Sequence, residues 1–244
     1  MRSIALYSAK LASYFTVQSW RPQRTRATPG STFAMRKWLA LTAVSCWVIS
    51  LVVGGSLARA DSGPFGIDSR PAYDNAGIWK RNYQEILEFG APVVLTLGAL
   101  WEGGDDRLGK TFWQSIDSVV AAGLLTDGLK YAFSRERPYQ VDNPNEWFTG
   151  HGQSFPSGEV TEISSIVTPF VLEYGKDDPA VYALELLPVY DAIARVKVWG
   201  HWQSDVIAGF GLGFASGYFV RGLKTPLILR IMPHGIQIGL KKQF

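Results

Sequence analysis

The chain has 244 residues, of which 47% are hydrophobic and 18% charged. That balance excludes a disordered tail or a collagen-like repeat and allows one or at most two domains. Its single cysteine excludes a disulfide scaffold and any multi-cysteine zinc or iron–sulfur centre. The net charge of +3 is unevenly spread: residues 1–60 carry eight Lys and Arg and no acid, leaving 16 basic against 21 acidic side chains in residues 61–244. The body is mildly acidic, and no basic field recruits nucleic acid.

In chain order, Arg36-Lys37, an apolar stretch from Trp38 to Val53 and an Ala58-Arg59-Ala60 exit before Asp61 have the anatomy of a secretory signal peptide. On that grammar Met35 is the start, residues 1–34 are a mis-called extension, 35–60 are the signal, and the mature chain is exported to a bacterial periplasm. An uncleaved membrane anchor and an organellar transit peptide are the rivals. Cys46 lies inside the apolar stretch, so the mature chain would hold no cysteine. Residues 61–81 read as an irregular lead-in rich in Gly, Pro, Asp and Ser.

Ile86, Leu87, Phe89, Val93, Val94, Leu95 and Leu97 predict a helix over 82–101, with Pro92 as a start or kink. After a Gly-Gly-Asp-Asp loop, a second amphipathic helix is predicted over 111–133. Three prolines make 134–156 a long loop, of the kind that is functional or disordered in compact domains. A third helix runs from Pro156-Ser157-Gly158 to Tyr174. Asp178-Pro179 caps a fourth that reaches about Val198 with a kink at Pro188. The last spans His201 to Val220, and its Gly209, Gly213 and Gly217 form a smooth stripe for a close neighbour. Residues 224–244 change period and predict a β-hairpin. The fold class is therefore all-α, a bundle of about five helices over 82–223 with a small C-terminal β-hairpin. No helix offers eighteen uninterrupted apolar residues, so the body reads as soluble or peripheral to a membrane.

Three clusters carry residues suited to phosphate. Lys130 and Arg137, seven apart at a helix end, supply charge-assisted bonds and a bidentate fork; alone, they equally read as cations satisfying a helix C-terminus. His151-Gly-Gln-Ser-Phe-Pro-Ser157-Gly158-Glu159 leads small residues into a helix N-terminus, an anion site or plain capping by Ser157. Arg195 stands six residues before His201, and His201 and Asp205 are four apart, so on one helix they share a face and an imidazole–carboxylate bond.

Taken together, Lys-x6-Arg-Pro, Pro-Ser-Gly and Arg-x5-His-x3-Asp resemble the type 2 phosphatidic acid phosphatase/vanadium haloperoxidase superfamily, over roughly residues 110–222. The resemblance implies a helical bundle and a metal-independent phosphatase with no cofactor. It makes His201 the nucleophile that takes the phosphoryl group and Asp205 the residue that orients and charges it. Lys130, Arg137 and Arg195 would hold the phosphate oxygens, with Ser157 and the Gly158 amide. The implied substrate is a phosphorylated small molecule or a lipid phosphate, the latter with peripheral membrane contact.

Two positions depart from the pattern: Glu159 replaces the histidine that protonates the leaving group, and Ala194 replaces a serine. A carboxylate facing a phosphate dianion is repelled, so a protonated Glu159 could donate at acidic pH; alternatively, His151 reaches the site from the loop. Two other functions stay open: a phosphate- or headgroup-binding protein that has lost the acid, and a vanadate-dependent haloperoxidase.

Overall fold

The computed structural model describes residues 63–223 and Pro226. The proposed extension, signal segment and C-terminal hairpin lie outside the described residues. Five α-helices succeed one another: α1 (Arg81–Glu102), α2 (Arg107–Phe133), α3 (Gly158–Tyr174), α4 (Leu186–Lys197) and α5 (Gln203–Arg221). Among the described residues there is no strand, and no helix is long and apolar enough to cross a membrane.

The helices begin where side chains satisfy their first amides. Asp106 accepts from the Gly109 amide at 2.6 Å, so α2 starts four residues earlier than its apolar pattern alone indicates. Ser134, left-handed at φ 40°, closes it. Asp178 does cap, accepting from the Ala180 amide at 2.9 Å, but the element it opens is a 3₁₀ stretch, Pro179–Glu185. The single long fourth helix expected from the sequence is thus two pieces. Pro188 causes no kink, because it is the third residue of α4, where its missing amide has no intrahelical partner to lose.

The glycine stripe does what small residues on one face permit. A Cβ at Gly209 would lie 2.6 Å from the Ser157 carbonyl oxygen, at Gly213 2.4 Å from that of Thr161, and at Gly217 2.7 Å from Thr168 Cβ. The α3 and α5 backbones therefore touch, and this contact aligns Ser157 and Gly158 with the start of α5. Val160, Val171, Ala192, Ile193, Val196, Val206 and Phe210 form the core between α3, α4 and α5. A second cluster of Leu95, Ile166 and Val167 joins α1 to α3.

α1 buries little of its apolar pattern. Leu95 is 4% exposed, whereas Phe89, Val93 and Leu97 are 67%, 56% and 62% exposed. The segment before α1 carries 3₁₀ turns at Pro64–Gly66 and Gly77–Trp79 and is fastened across the α4–α5 junction. The Ser69 amide donates to Gln203 Oε1, the Trp199 indole to the Pro71 carbonyl and the Asp74 amide to the Lys197 carbonyl. The long loop is packed too: Phe133, Trp147 and Phe155 meet ring to ring at centroid distances of 5.2–5.9 Å.

Candidate active site

A cavity of about 300 Å³ opens between α1, α2 and α3, and Lys130, Arg137, Gly158, Glu159 and His201 all line it. Residues from all three sequence clusters are thereby brought to one place. Arg195, Ser157 and Asp205 are buried and not part of the lining, and His151 is exposed and not part of it either.

His201 is not on a helix with Asp205, as the four-residue spacing had suggested. Trp202 is extended (φ −77°, ψ 162°) and caps α5, leaving His201 two residues upstream of its first turn. The reason lies in Asp205, whose Oδ2 accepts from the Trp202 amide at 2.9 Å and so fixes where the helix begins. His201 Nδ1 lies 3.8 Å from that carboxylate and 2.7 Å from the Ser154 carbonyl oxygen. A carbonyl can only accept, so Nδ1 carries the hydrogen and Nε2 carries the lone pair. Burial, with Arg195, Arg137 and Lys130 nearby, holds the imidazole well below its ordinary value, so the ring is neutral at pH 7.

Asp205 instead belongs to a buried chain of charges. Arg135 Nη1 donates to Asp205 Oδ1 and Nη2 to Asp68 Oδ2, each at 2.6 Å, with all three side chains at 0% exposure. Ser154 Oγ donates to Asp205 Oδ2 at 2.5 Å, and the Ser204 amide donates to Asp68 Oδ1 at 2.7 Å. Burial pushes both carboxyls above their ordinary value, against the opposing pull of Arg135. Thus Asp205 reaches His201 through Ser154, whose hydroxyl it accepts from and whose carbonyl holds the ring.

Lys130, Arg137 and Arg195 are anchored by backbone and acid. Lys130 Nζ donates to the Gln153 carbonyl at 2.7 Å, and Arg137 Nη2 approaches the same oxygen at 3.4 Å. Burial, then Arg137, lowers the Lys130 amine to about 8. Arg195 Nη1 lies 3.4 Å from Glu159 Oε1, and Arg81 Nη1 bonds the other oxygen. Gly200 makes room for this guanidinium: a Cβ there would sit 2.5 Å from Arg195 Nη2. Asp191, one turn before Arg195, is pushed up to about 8, chiefly by burial, and so does not compete as a carboxylate near neutrality. Ser157 occupies the N-cap position of α3, yet its hydroxyl caps nothing and is buried without a partner among the described residues, as is Arg195 Nε.

Four residues of this region carry roles that the motifs do not indicate. Arg135 lies between Lys130 and Arg137 in the chain, outside the positions that define that motif. Asp68 and Arg81 come from chain segments that carry no motif. Ser154 acts through its hydroxyl and its backbone carbonyl, and it belongs to no motif. Among the described residues no group of three or more His, Cys, Asp or Glu could hold a metal ion.

The lipid A 1-phosphatases of Rhizobium johnstonii and Rhizobium etli are 32% and 34% identical over 126 residues, 48% of this chain and 50% and 53% of theirs. That of Porphyromonas gingivalis is 26% identical over 138 residues, 56% of this chain and 28% of its own. The chain thus spans about half the length of the two rhizobial relatives. The crystal structure of Aquifex aeolicus LpxE aligns at a TM-score of 0.44 with 17% identity, over 57% of this chain and 83% of that one. Residues 112–226, which contain all three motifs, match the PAP2 superfamily, the group that those motifs resemble.

Proposed function

We propose that the chain is an exported phosphatase that hydrolyses phosphomonoesters carried on lipids through a phosphohistidine at His201. The observation that carries this reading is the state of His201. It is neutral, its Nδ1 is committed to the Ser154 carbonyl, and it lines a cavity together with Lys130 and Arg137. Nε2 is then free to attack phosphorus. Lys130, Arg137 and Arg195 hold the phosphoryl oxygens, with Ser157 and the Gly158 amide. The buried, unpartnered Ser157 Oγ and Arg195 Nε are donors that such oxygens would satisfy. Asp205 places a carboxylate near the imidazole and favours the positive ring that phosphorylation creates. In this reading side-chain cations supply the charge that the transition state requires, and no metal takes part.

The lipid assignment draws on the lipid A 1-phosphatase relatives and on the surface beside the cavity. Phe89 and Val93 of α1, and Leu124 and Leu125 of α2, stand exposed on the helices whose Glu88 and Gly123 line the cavity. Exposed apolar side chains on these two helices suit contact with acyl chains. A second reading, a headgroup-binding protein without turnover, is favoured by Glu159, which stands at the acid's position and is tied to Arg195.

Phosphate release by the full chain from a lipid phosphate in mixed micelles and from 4-nitrophenyl phosphate tests both. Turnover is expected with the wild type and none with His201→Ala, whose circular dichroism should be unchanged. Comparable turnover by His201→Ala would sink the phosphohistidine. Orthophosphate binding with no release from any ester would establish the binding protein.

A further inference from the structure

The leaving alkoxide of a phosphomonoester needs a proton, and the two donors suggested by the sequence are poorly placed to give one. Both oxygens of Glu159 are engaged by guanidiniums, from Arg81 and from Arg195. His151 is exposed and outside the cavity lining. Resting on the phosphatase reading above, we infer that Glu162 is the general acid of this site.

Gly158, Glu159, Thr161 and Glu162 fall on one face of α3, and all four line the cavity that holds His201. The residue that delivers the proton has therefore moved one turn along the same helix, from the position where the family pattern puts histidine. The titratable groups that line this cavity with Glu162 are Glu88 from α1, Asp127 and Lys130 from α2, Arg137 from the loop after α2, Glu159 on its own helix and the neutral His201 ring before α5. The other lining carboxylates are occupied or solvated. Glu88 is tied to Arg81 at 3.0 Å, Glu159 is doubly paired, and Asp127 is exposed. Among the described residues no hydrogen bond or ion pair reaches the half-buried carboxyl of Glu162. Burial, reinforced by Glu88 and Glu159, pushes it up to about 7, so the acid form is populated near neutrality.

The chemistry balances. The His201 Nε2 lone pair forms the P–N bond as the P–O ester bond breaks, and the departing oxygen takes the Glu162 proton as its bond pair leaves with it. The Glu162 carboxylate then removes a proton from the attacking water. The new P–O bond forms, the P–N bond breaks, and orthophosphate and the starting imidazole are restored with Glu162 reprotonated.

The test compares an alkyl phosphate with an aryl phosphate, whose phenolate leaves with little help, in the full-length wild type and Glu162→Gln. Because no partner is lost, the amide should fold as the wild type does, and thermal unfolding checks this. The expected result is an alkyl rate lowered on the order of 10²-fold, an aryl rate changed far less, and loss of the decline in rate that the wild type shows as pH rises through about 7. A ratio of alkyl to aryl rates unchanged by Glu162→Gln overturns the assignment alone. So does a ratio that moves with His151→Ala instead. A wild type that hydrolyses neither ester overturns the phosphatase reading and the assignment together.

Discussion

Removing the Arg135 guanidinium should show how much the buried charge chain contributes to stability. Arg135 is wholly buried between Asp68 and Asp205, two carboxylates that are themselves at 0% exposure. It also donates to the Pro144 carbonyl and lies 4.2 Å over the Trp147 ring. Arg135→Met keeps much of the volume but strands both carboxylates. Breaking a buried pair in this way costs about 3–5 kcal/mol, a large share of the ~5–15 kcal/mol that stabilises a typical protein. With a urea slope of roughly 2 kcal/mol per molar, the unfolding midpoint should fall by about 2 M. The sign of the pH dependence is set by the carboxyls. Burial already holds Asp68 and Asp205 above their ordinary value of 3.8, and Arg135 opposes that shift. Without Arg135 their folded values rise further, so above pH ~4 the folded state binds more protons than the unfolded one. The stability of the variant therefore falls as pH rises from the unfolded value towards the new folded ones, and its deficit narrows on acidification from pH 7 to 5. Adding Asp68→Asn removes one stranded charge and should recover about 1–3 kcal/mol as a coupling in the double-mutant cycle. Equilibrium urea unfolding of the four proteins at both pH values decides the matter. An Arg135→Met protein within about 1 kcal/mol of wild type at pH 7, or a deficit indifferent to both pH and Asp68→Asn, would refute the reasoning.

Gly213→Ala should destabilise by about 1–3 kcal/mol, because its Cβ would lie 2.4 Å from the Thr161 carbonyl oxygen and force α3 and α5 apart. Gly211→Ala on the same helix meets nothing within 4 Å and should be neutral or slightly stabilising, so equal losses in denaturant would contradict the close-contact account. Lys130, lowered to about 8, should lose its charge as pH rises through that value. Competitive inhibition by sulfate, an anion whose own charge is constant there, should weaken across that range in the wild type and stay flat in Lys130→Met. A flat wild-type profile would remove Lys130 from the cradle.

The sequence by itself determined most of the helices and named residues that come to share one cavity. Apolar spacing and turn residues are local signals, and α1, α2, α3 and α5 appear within a few residues of where they predict them. The three motifs likewise name Lys130, Arg137, Gly158 and His201, which the fold brings to one cavity. Gly209, Gly213 and Gly217 announced a close helix contact because small residues at four-residue steps share a face. What failed were inferences that need a partner from elsewhere in the chain. The spacing of His201 and Asp205 suggested a shared helix, but Asp205 bonds the Trp202 amide and so starts α5 after the histidine. Asp68 is one aspartate in an irregular segment until folding carries it 67 positions to Arg135. The difference between Glu159 and Glu162 is equally invisible locally, since both sit on one face of α3. Only tertiary packing gives the first two arginines and the second an apolar, acidic wall with no partner. Hydrogen bonds and burial between distant segments have no sequence period, and they decide which carboxyl is paired with guanidiniums and which is left without a partner.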